Sequence, residues 1–455
     1  MTKTQLAVTV QRTANNGKGV GTAPDGRAVF VSGGIPGDRL LTEVTAERSR
    51  FYEARILKIL SSSPNRIPPD CPDHEICGGC CFRHMTYECE LEAKTGFVRD
   101  AFIRIGGFDI SCEPILPSPL TDAYRNKAEF AVGTGPNGDL FAGFYSEKTH
   151  QAVPVPDCRI IPEDFLKISK YFFKIVDRVS GCAWDPKTRK GIFRHLVLRK
   201  SGLTGEIMLI ISSAANSFPG ETQAAERIRA EFPQVTSVIL NVNRASGGTV
   251  LGPHNRILSG ESFIRDQICG VPVEIGPLSF FQVNTPAAES LYRTAAEFAE
   301  IRPEDTVLDL YCGMGTIGLA AAAGCRQLIG GEIIPEAVES AKRSAARMGL
   351  ANTRFLCGDA GMIAGQLIRE GIRPDVIILD PPRKGCSPET LQAVKTLAPE
   401  RIVMVSCDPA TAARDCRVLC NHGYTLTRIR PADLFPRTKH VETCVLLTHP
   451  FMSKS

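Results

Sequence analysis

A glycine-rich turn in the second half of the chain constrains the fold more than any other feature. The turn reads Asp309-Leu310-Tyr311-Cys312-Gly313-Met314-Gly315-Thr316-Ile317-Gly318; it follows a short apolar run and opens onto an alanine-rich stretch. Strand-like and helical runs then alternate as far as Val441–Thr448. Such alternation is typical of a parallel sheet with helices on both faces. We therefore predict a Rossmann-like α/β domain over residues 268–455.

The turn also predicts a cofactor that contains a nucleotide. Gly313-x-Gly315-x-x-Gly318 matches the dinucleotide fingerprint, with Glu332 about 20 residues further on to hold ribose hydroxyls, so a nicotinamide cofactor is one alternative. S-adenosylmethionine is favoured because Asp309 can meet its cationic methionine part and Asp359 can hold its adenine. A third element, Asp380-Pro381-Pro382-Arg383, ends a later strand. Enzymes that bind dinucleotides do not need such an element.

Cys407 is the candidate nucleophile. It follows a predicted strand in Val405-Ser406-Cys407-Asp408-Pro409, and Asp408 and Pro409 are residue types that begin helices. The partial positive charge of a helix amino terminus favours a thiolate, which is the reactive form of cysteine. A buried cysteine without a chemical role is the alternative.

Glu442 is the candidate base for the same chemistry. A thiolate that adds to carbon 6 of uracil makes carbon 5 nucleophilic enough to take a methyl group from a sulfonium. A base must then remove the carbon 5 proton, and Glu442 stands at the start of the last predicted strand. Taken alone, a residue in this position is more often a solvated carboxylate.

Residues 1–60 read as a small OB-like β-barrel with short strands and turn-rich connections. They hold nine Lys and Arg against five acidic residues, whereas the net charge of the whole chain is +4. Small barrels commonly bind oligonucleotides. Arg27, Phe30, Arg50 and Tyr52 offer a basic and partly aromatic face for RNA, and an ordinary solvated surface is the alternative.

Residues 61–267 begin with a linker rich in serine and proline and continue as strands with a few helices, which predicts a central α+β domain. A chain of 455 residues is too long for one ordinary core. It starts without a signal-peptide pattern and has no apolar run of membrane-spanning length. We expect a cytoplasmic monomer without membrane contact, whose seventeen cysteines are reduced thiols, metal ligands or catalytic groups.

Four cysteines suggest a metal site in the central domain. Cys71, Cys77 and Cys80 are closely spaced, and Cys158 lies far downstream. Four thiolates bind zinc or an iron–sulfur cluster, and spacing alone does not separate the two. Unrelated buried cysteines are the alternative.

The motifs together resemble those of the RNA 5-methyluridine methyltransferases, and within them the iron–sulfur-containing enzymes that act on 23S ribosomal RNA. The resemblance runs along nearly the whole chain. It rests on Tyr124-Arg125-Asn126-Lys127, Phe281-Gln282-Val283-Asn284, Leu308-Asp309-Leu310-Tyr311-Cys312-Gly313, Asp380-Pro381-Pro382-Arg383, Ser406-Cys407-Asp408-Pro409 and His440-Val441-Glu442.

The resemblance implies a role for each matching residue. It implies that Cys407 is the nucleophile, that Glu442 is the base, and that S-adenosylmethionine is contacted by Gln282, Tyr311, Glu332 and Asp380. It identifies residues 1–60 as a TRAM-type RNA-binding domain and implies that residues 85–115 pack with the catalytic domain. It also implies a [4Fe–4S] cluster on Cys71, Cys77, Cys80 and Cys158. Asp408 stands where many relatives have Asn, which makes the surroundings of Cys407 less favourable to a thiolate.

Three other functions stay open from the sequence. Transfer RNA is an alternative substrate for the same reaction. An amino-group methyltransferase shares the Asp-Pro-Pro turn, although it would place an aromatic residue where this chain has Arg383. A non-catalytic RNA-binding assembly protein is an alternative of a different class.

Overall fold

Three large sheets and one hairpin organise the chain in a computed structural model that describes residues 4–146, 149, 151–176 and 182–449. Each large sheet has a hydrophobic core of its own, and the third has one on each face. No helix among the described residues is long and apolar enough to cross a bilayer.

The first sheet has six strands, in the order β1-β5-β6-β4-β3-β2. Only β4 and β6 pair in parallel. Successive side chains of β4 point to opposite faces of the sheet, so Val29 and Val31 are buried in a core with Val8 and Leu40 while Phe30 faces the other way. The strands are β1 (Gln5–Thr9), β2 (Arg12–Thr13), β3 (Gly19–Thr22), β4 (Ala28–Ser32), β5 (Arg39–Glu47) and β6 (Phe51–Ser61).

Helix α1 (Tyr87–Ala101) follows and runs into a π-helical turn, Phe102–Gly106. Thr86 begins α1 because its hydroxyl accepts a hydrogen bond from the Cys89 amide. Buried side chains of this segment, including Phe97 and Phe102, join the core on one face of the third sheet. Although it is early in the chain, the segment therefore packs against the carboxy-terminal domain.

The central sheet has seven strands in the order β13-β12-β11-β10-β7-β8-β9, with α2 and α3 packed on one face. All its strand pairs are antiparallel except β11 with β12. A separate hairpin, β14–β15, leads to the third sheet. The bounds are β7 (Lys127–Thr134), β8 (Leu140–Tyr145), β9 (Ala152–Pro154), α2 (Glu163–Val176), β10 (Phe193–Lys200), β11 (Ile207–Ser213), α3 (Glu221–Glu231), β12 (Val235–Val242), β13 (His254–Gly260), β14 (Ile264–Ile268) and β15 (Val271–Ile275).

The third sheet confirms the predicted alternation of strands and helices. Its order is β18-β17-β16-β19-β20-β22-β21, and the first five strands are parallel. The central strands β16 and β20 are buried along their whole length, as parallel strands between two helical layers are. The elements are α4 (Thr285–Ala299), β16 (Thr306–Leu310), α5 (Thr316–Ala322), β17 (Gln327–Glu332), α6 (Pro335–Arg347), β18 (Thr353–Cys357), α7 (Ala360–Arg369), β19 (Val376–Leu379), α8 (Pro388–Leu397), β20 (Arg401–Ser406), α9 (Pro409–Cys420), β21 (Thr425–Ala432) and β22 (Glu442–Thr448).

The last strand determines where the predicted catalytic residues meet. Strand β22 runs antiparallel to β20, with Thr443 opposite Ser406. The start of β22 therefore lies at the carboxyl end of β20. Glu442 and Cys407 consequently lie at the same edge of the sheet as the ends of β16 and β19.

Candidate active site

The glycine-rich turn after β16 has the backbone geometry that its sequence requires. Gly313 and Gly315 have positive φ angles of 54° and 78°, and Tyr311 shares this left-handed conformation with φ 64°. Gly318 is required for a different reason, because a Cβ there would lie 2.7 Å from Asp309 Oδ2. The turn thus brings backbone amides close to the end of β16.

Asp309 is buried beneath this turn. Its Oδ2 accepts a hydrogen bond of 3.0 Å from the Gly318 amide, while Oδ1 is buried without a partner among the described residues. Burial, with some contribution from the charges of Asp380 and Glu332, raises the pKa of Asp309 to about 8. A cationic ligand would pair with the free Oδ1 and offset the cost of burying the carboxylate.

Glu332 ends β17 and bridges two amides. Its carboxylate accepts hydrogen bonds from the Gly313 amide at 3.0 Å and the Ile334 amide at 2.9 Å. Asp359 is exposed and caps α7 by accepting a hydrogen bond from the Gly361 amide at 2.9 Å. Both predicted residues therefore stand at neighbouring strand ends, although backbone amides already use part of their hydrogen-bonding capacity.

Exposed apolar side chains surround these two acids, and the sequence reasoning missed them. Ile333 and Ile334 directly follow Glu332, and Met362 lies in the first turn of α7; each is more than half exposed. Large exposed apolar groups beside a polar rim are typical of a binding surface. The sequence signal for this surface is the pair of isoleucines that directly follows the acidic residue at the end of a strand.

Gln282 and Tyr311 approach the same strand ends from two sides. The backbone carbonyl of Gln282 is held by Asn126 Nδ2 at 2.8 Å. The hydroxyl of Tyr311 donates to Thr390 Oγ1 at 3.1 Å. Tyr292, which was not predicted, is buried on α4. Burial, together with the charge of Asp380, raises the pKa of its hydroxyl, and hydrogen bonds with the side chains of Thr316 and Gln282 lower that pKa.

Cys407 lies between β20 and α9 as predicted, and its surroundings disfavour a thiolate, as expected from Asp408. The carboxylate of Asp408 occupies the helix start by accepting hydrogen bonds from the Ala410 and Thr411 amides at 2.9 and 3.1 Å. Burial, reinforced by the charge of Glu442, raises the pKa of the thiol to about 11, and Arg383 partly opposes this shift. An acidic cap fills the helix terminus and the thiol is half-buried, so the partial positive charge of that terminus does not offset the effect of burial on the pKa of Cys407.

Glu442 is buried and carries a perturbed carboxyl. Burial, together with the charge of Asp380, raises its pKa to about 8, and Arg383 lowers it. Burial also raises the pKa of Asp380, to about 7. Strongly shifted carboxyl groups that share one sheet edge are typical of a functional site.

Cys407 opens onto a cavity of about 480 Å³, which we call the nucleophile cavity. Residues from three distant parts of the chain line it: the first sheet, helix α1 with its π-helical turn, and the edge of the third sheet. Its volume is typical of sites that hold a small molecule or one nucleotide. Four cationic side chains and two phenylalanine rings are among its lining residues, namely Arg12, Arg104, Arg383, Lys439, Phe30 and Phe97.

The loop 433–441, which precedes Glu442, is fixed by a buried ion network. The ammonium group of Lys94 on α1 lies 2.7 Å from Glu90 Oε1, 2.7 Å from Asp433 Oδ1 and 3.1 Å from the Phe435 carbonyl oxygen. The side chains of Lys94, Glu90 and Asp433 are fully buried. The Arg437 amide also donates to Glu90.

The cysteine-rich segment and the central domain hold the same loop. The amides of Cys81 and Phe82 both donate to the Arg437 carbonyl oxygen, at 2.9 and 3.1 Å. The hydroxyl of Tyr124 donates to the carbonyl oxygen of Pro436 at 3.0 Å. Residues hundreds of positions earlier in the chain thus fix the approach to Glu442.

The four cysteines predicted to bind metal line one cavity of about 450 Å³: Cys71, Cys77, Cys80 and Cys158. Burial, with smaller contributions from the neighbouring thiols, raises the pKa of Cys77, Cys80 and Cys158. Across the described part of the chain, no three His, Cys, Asp or Glu side chains form a closed metal centre. The four cysteines therefore line one cavity, but their thiols are not positioned as a preformed set of metal ligands.

The basic face predicted on the first sheet is partly neutralised by internal contacts. Arg27 stacks 4.0 Å from the Tyr52 ring centroid and pairs with Asp25 and Glu47. Phe30, in contrast, lines the nucleophile cavity. The aromatic and basic residues of this sheet thus divide between an internally paired surface and the candidate active site.

A doubly wound sheet with acidic groups and a glycine-rich turn at one edge defines the Rossmann-like α/β class of ligand-binding domains. Residues 86–450 match the family described as tRNA (uracil-5-)-methyltransferase. The chain is similar to an uncharacterized RNA methyltransferase of Halalkalibacterium halodurans, with 36% identity over 97% of this chain and 96% of that one. It is also similar to one of Caldanaerobacter subterraneus, with 37% identity over 97% of each.

A solved structure is similar along almost the entire chain. The tRNA (uracil-54, C5)-methyltransferase of Pyrococcus abyssi, in complex with S-adenosyl-L-homocysteine, has a TM-score of 0.77 and 27% identity, with 97% of this chain and 100% of that chain covered. The chain therefore belongs to the tRNA (uracil-5-)-methyltransferase family and is an RNA methyltransferase. The prediction of an enzyme of this class is confirmed.

Proposed function

We propose that the protein methylates carbon 5 of a uridine in RNA, with Cys407 as nucleophile and Glu442 as base. The main support for this proposal is the arrangement of side chains at the end of β20. The antiparallel pairing of β20 and β22 brings the thiol and the buried carboxyl together, and the thiol opens onto a cavity lined by four cations. A cationic cavity suits a phosphate-bearing substrate whose base is drawn out of its stack.

Cys407 and Glu442 have separate roles, one in activating the uracil base and one in releasing the product. The thiol of Cys407 first gives its proton to water. The Sγ thiolate then forms a bond to carbon 6 of uracil, and the electron pair of the carbon 5–carbon 6 double bond moves toward carbon 5 and the carbon 4 oxygen. Bound S-adenosylmethionine would supply the electrophilic methyl group to carbon 5, with its sulfur–methyl bond broken and S-adenosylhomocysteine left as the neutral product. Glu442 then accepts the carbon 5 proton, the double bond forms again, and Cys407 leaves as a thiolate.

The proposed cofactor fits the charges and surfaces at the strand ends. The free Oδ1 of Asp309 and the raised pKa values of Asp309 and Asp380 favour a ligand with positive charge. Gln282 and Tyr311 would contact its methionine part, while Glu332 and Asp359 would hold its ribose and adenine against the exposed Ile333 and Met362. The positive-φ glycines Gly313 and Gly315 let the backbone approach it closely.

RNA that carries 5-fluorouridine tests the catalytic roles. Fluorine at carbon 5 cannot leave as a proton does, so the methylated adduct stays bound to the nucleophile. The wild-type protein should give an RNA–protein band that resists denaturation, and Cys407→Ala should give none. Cys357→Ala, which removes an exposed cysteine at the end of β18, is the matched control. Trapping by Cys407→Ala would refute the assignment.

We also propose a [4Fe–4S] cluster in the four-cysteine cavity. Four thiolates suit either zinc or such a cluster, but a cavity of about 450 Å³ is far larger than one metal ion needs. Four cations also line it. Arg83, Lys127 and Arg159 pair with carboxylates, and Arg125, which has no ion pair among the described residues, would balance part of the negative charge of a thiolate-bound cluster. The cluster would brace the segment around Cys81 that holds the loop 433–441.

Metal analysis of anaerobically purified protein tests this second proposal. We expect brown protein with about four irons per chain, loss of colour in Cys158→Ser, and retention of colour in Cys81→Ser. Cys81 neighbours the ligands but does not line the cavity. Colourless protein with stoichiometric zinc would contradict the cluster.

For the substrate, we propose 23S ribosomal RNA, with residues 1–60 acting as a TRAM-type RNA-binding domain. The sequence motifs shared with the iron–sulfur-containing ribosomal RNA enzymes support this choice. Transfer RNA is the second candidate, because the P. abyssi structural relative is a tRNA (uracil-54, C5)-methyltransferase. Mass-spectrometric mapping of 5-methyluridine in both RNA classes, with and without the gene, separates the two.

A further inference from the structure

One wall of the nucleophile cavity carries two arginines that share a single carboxylate oxygen. Arg12 Nη1 of β2 lies 3.9 Å from Asp100 Oδ2, and Arg104 Nη2 of the π-helical turn lies 3.5 Å from the same atom. The side chains of Arg12 and Arg104 are 49% and 67% exposed. Across the residues that the structure describes, neither guanidinium donates a conventional hydrogen bond, so most of their donors are available to a ligand.

Thr13 provides a second and independent sign of a ligand at this wall. It lines the same cavity and is only 6% exposed, yet its hydroxyl has no hydrogen-bond partner within the described chain. A buried hydroxyl without a partner is costly and is therefore uncommon. A group that enters the cavity could satisfy it.

Aromatic rings complete the chemistry of the wall. Phe30 of β4 lines the cavity, is partly exposed and makes an edge-on contact with Phe51 at 5.4 Å between ring centroids, whereas Phe97 lines the cavity from within the core. Base stacking on aromatic side chains beside cationic ones is the usual way to hold single-stranded nucleic acid. The wall therefore offers both a phosphate and a base the contacts that they require.

We propose that Arg12, Thr13 and Arg104 form a clamp for the phosphodiester of a nucleotide that flanks the target uridine, with Asp100 as the placeholder that the phosphate displaces. The proposal rests on the proposed function, because the flanking nucleotide is defined by the base that reaches Cys407. Two guanidiniums and a hydroxyl suit the oxygens of a phosphate. Asp100 keeps the two arginines aligned in the free protein and competes with the phosphate for them.

Binding of fluorescein-labelled octauridylate to the full-length protein tests the clamp. Arg12→Gln and Arg104→Gln should each weaken binding about tenfold. The two substitutions together should reduce the slope of log affinity against log salt by about 0.7, the value for the one phosphate that they share on a single strand. Thr13→Val should weaken binding without changing the slope. Asp100→Asn should tighten binding several-fold, because it removes the competitor.

The Asp100 variant separates this role from a merely structural ion pair. If Asp100 only stabilises the fold, Asp100→Asn should lower the Tm and leave binding unchanged or weaker, and either binding result overturns the proposal. Arg55→Gln is the matched charge control, since Arg55 is an exposed arginine of the first sheet that pairs with Glu43 and does not line the cavity. Normal binding by Arg12→Gln and Arg104→Gln also overturns it.

Failure of the proposed function shows in a different measurement. Octauridylate binding requires no chemistry at Cys407, whereas the 5-fluorouridine adduct does. A protein that forms the adduct while its clamp variants bind normally loses only the clamp. A protein whose clamp variants behave as expected but which never forms the adduct loses only the catalytic assignment.

Discussion

Glu442 lies close enough to Cys407 for its charge to add to the effect of burial on the thiol, and together they raise the thiol pKa to about 11. The pKa of Glu442 is itself raised to about 8. Both groups must lose a proton for the proposed chemistry, and each makes ionisation of the other more costly. The guanidinium of Arg383 lowers the pKa of both, so its charge offsets part of this conflict.

Arg383→Gln should therefore slow formation of the 5-fluorouridine adduct and shift its pH profile toward alkaline pH. Each unit by which the thiol pKa rises leaves about tenfold less thiolate at neutral pH. The measurement is the rate of adduct formation at saturating RNA, followed from about pH 6.5 to 9.5. Lys384→Gln is the control, because Lys384 is the exposed neighbouring cation. A slower reaction with an unshifted profile would instead indicate that Arg383 acts only on RNA binding.

Glu442→Gln should separate the two halves of the reaction. Without a base, the carbon 5 proton stays in place after methyl transfer, so Cys407 cannot leave and ordinary uridine should give a stable adduct. The measurement compares adduct with released 5-methyluridine in one reaction. Wild-type amounts of released product would remove Glu442 as the base. Glu297→Gln is a control, because Glu297 is an exposed carboxylate on α4.

The same substitution should stabilise the folded protein at alkaline pH. The folded-state pKa of Glu442 lies above its unfolded value of 4.5, so between about pH 5 and 8 the folded state binds more protons and stability falls as pH rises. Replacing the carboxyl by an amide removes this cost, which is roughly 5 kcal/mol above pH 8 for a shift from 4.5 to about 8. The gain in Tm over wild type should be larger at pH 8.5 than at pH 5. An equal gain at both values would argue against a buried, protonated carboxyl.

The sequence predicted those parts of the site that come from local pattern. Asp309, Glu332, Asp380 and Cys407 each follow or end a strand, and in a parallel sheet all such ends lie at one edge, so their meeting could be expected. The pKa of Cys407 could not, because it depends on burial and on Glu442, which lies 35 positions further along the chain.

The resemblance implied that residues 85–115 pack with the catalytic domain, but the individual contacts between distant segments could not be predicted from the sequence pattern. Nothing in the order of residues indicated that Arg12 and Thr13 would line the cavity of Cys407, or that Lys94 would pair with Asp433. These contacts arise from the packing of the first sheet and α1 on the third sheet. The TRAM-type assignment, the domain boundaries and the monomeric state stay predictions.

Affinity for S-adenosylmethionine should rise with pH. Asp309 and Asp380 have pKa values of about 8 and 7, so they become carboxylates across this range and attract the sulfonium. Between pH 6.5 and 8.5 we expect about a tenfold gain, measured by calorimetry. S-adenosylhomocysteine has no sulfonium charge and should gain less. Equal pH dependence for the two ligands would contradict this account, and Asp309→Asn should reduce the difference between them.

Lys94→Met should destabilise the protein and impair catalysis through the loop 433–441. Removing the ammonium group leaves Asp433 buried without a counter-charge and leaves Glu90 with only the more distant guanidinium of Arg437, at 3.7 Å, which costs about 3–5 kcal/mol. The released loop should then hold Glu442 less firmly. The measurements are the Tm and, well below that Tm, the release of 5-methyluridine from preformed adduct.

The control for this change is Lys342→Met, which breaks an exposed ion pair with Glu339 and should alter stability by less than about 0.5 kcal/mol. A purely structural role of Lys94 would lower the Tm without changing the rate of product release in the folded protein. A combined Lys94→Met and Asp433→Asn variant should recover part of the Tm, because it removes one of the unpaired buried charges. The release rate should not recover, because the contact between α1 and the loop 433–441 is still absent. Full recovery of that rate would show that the ion network does not position Glu442.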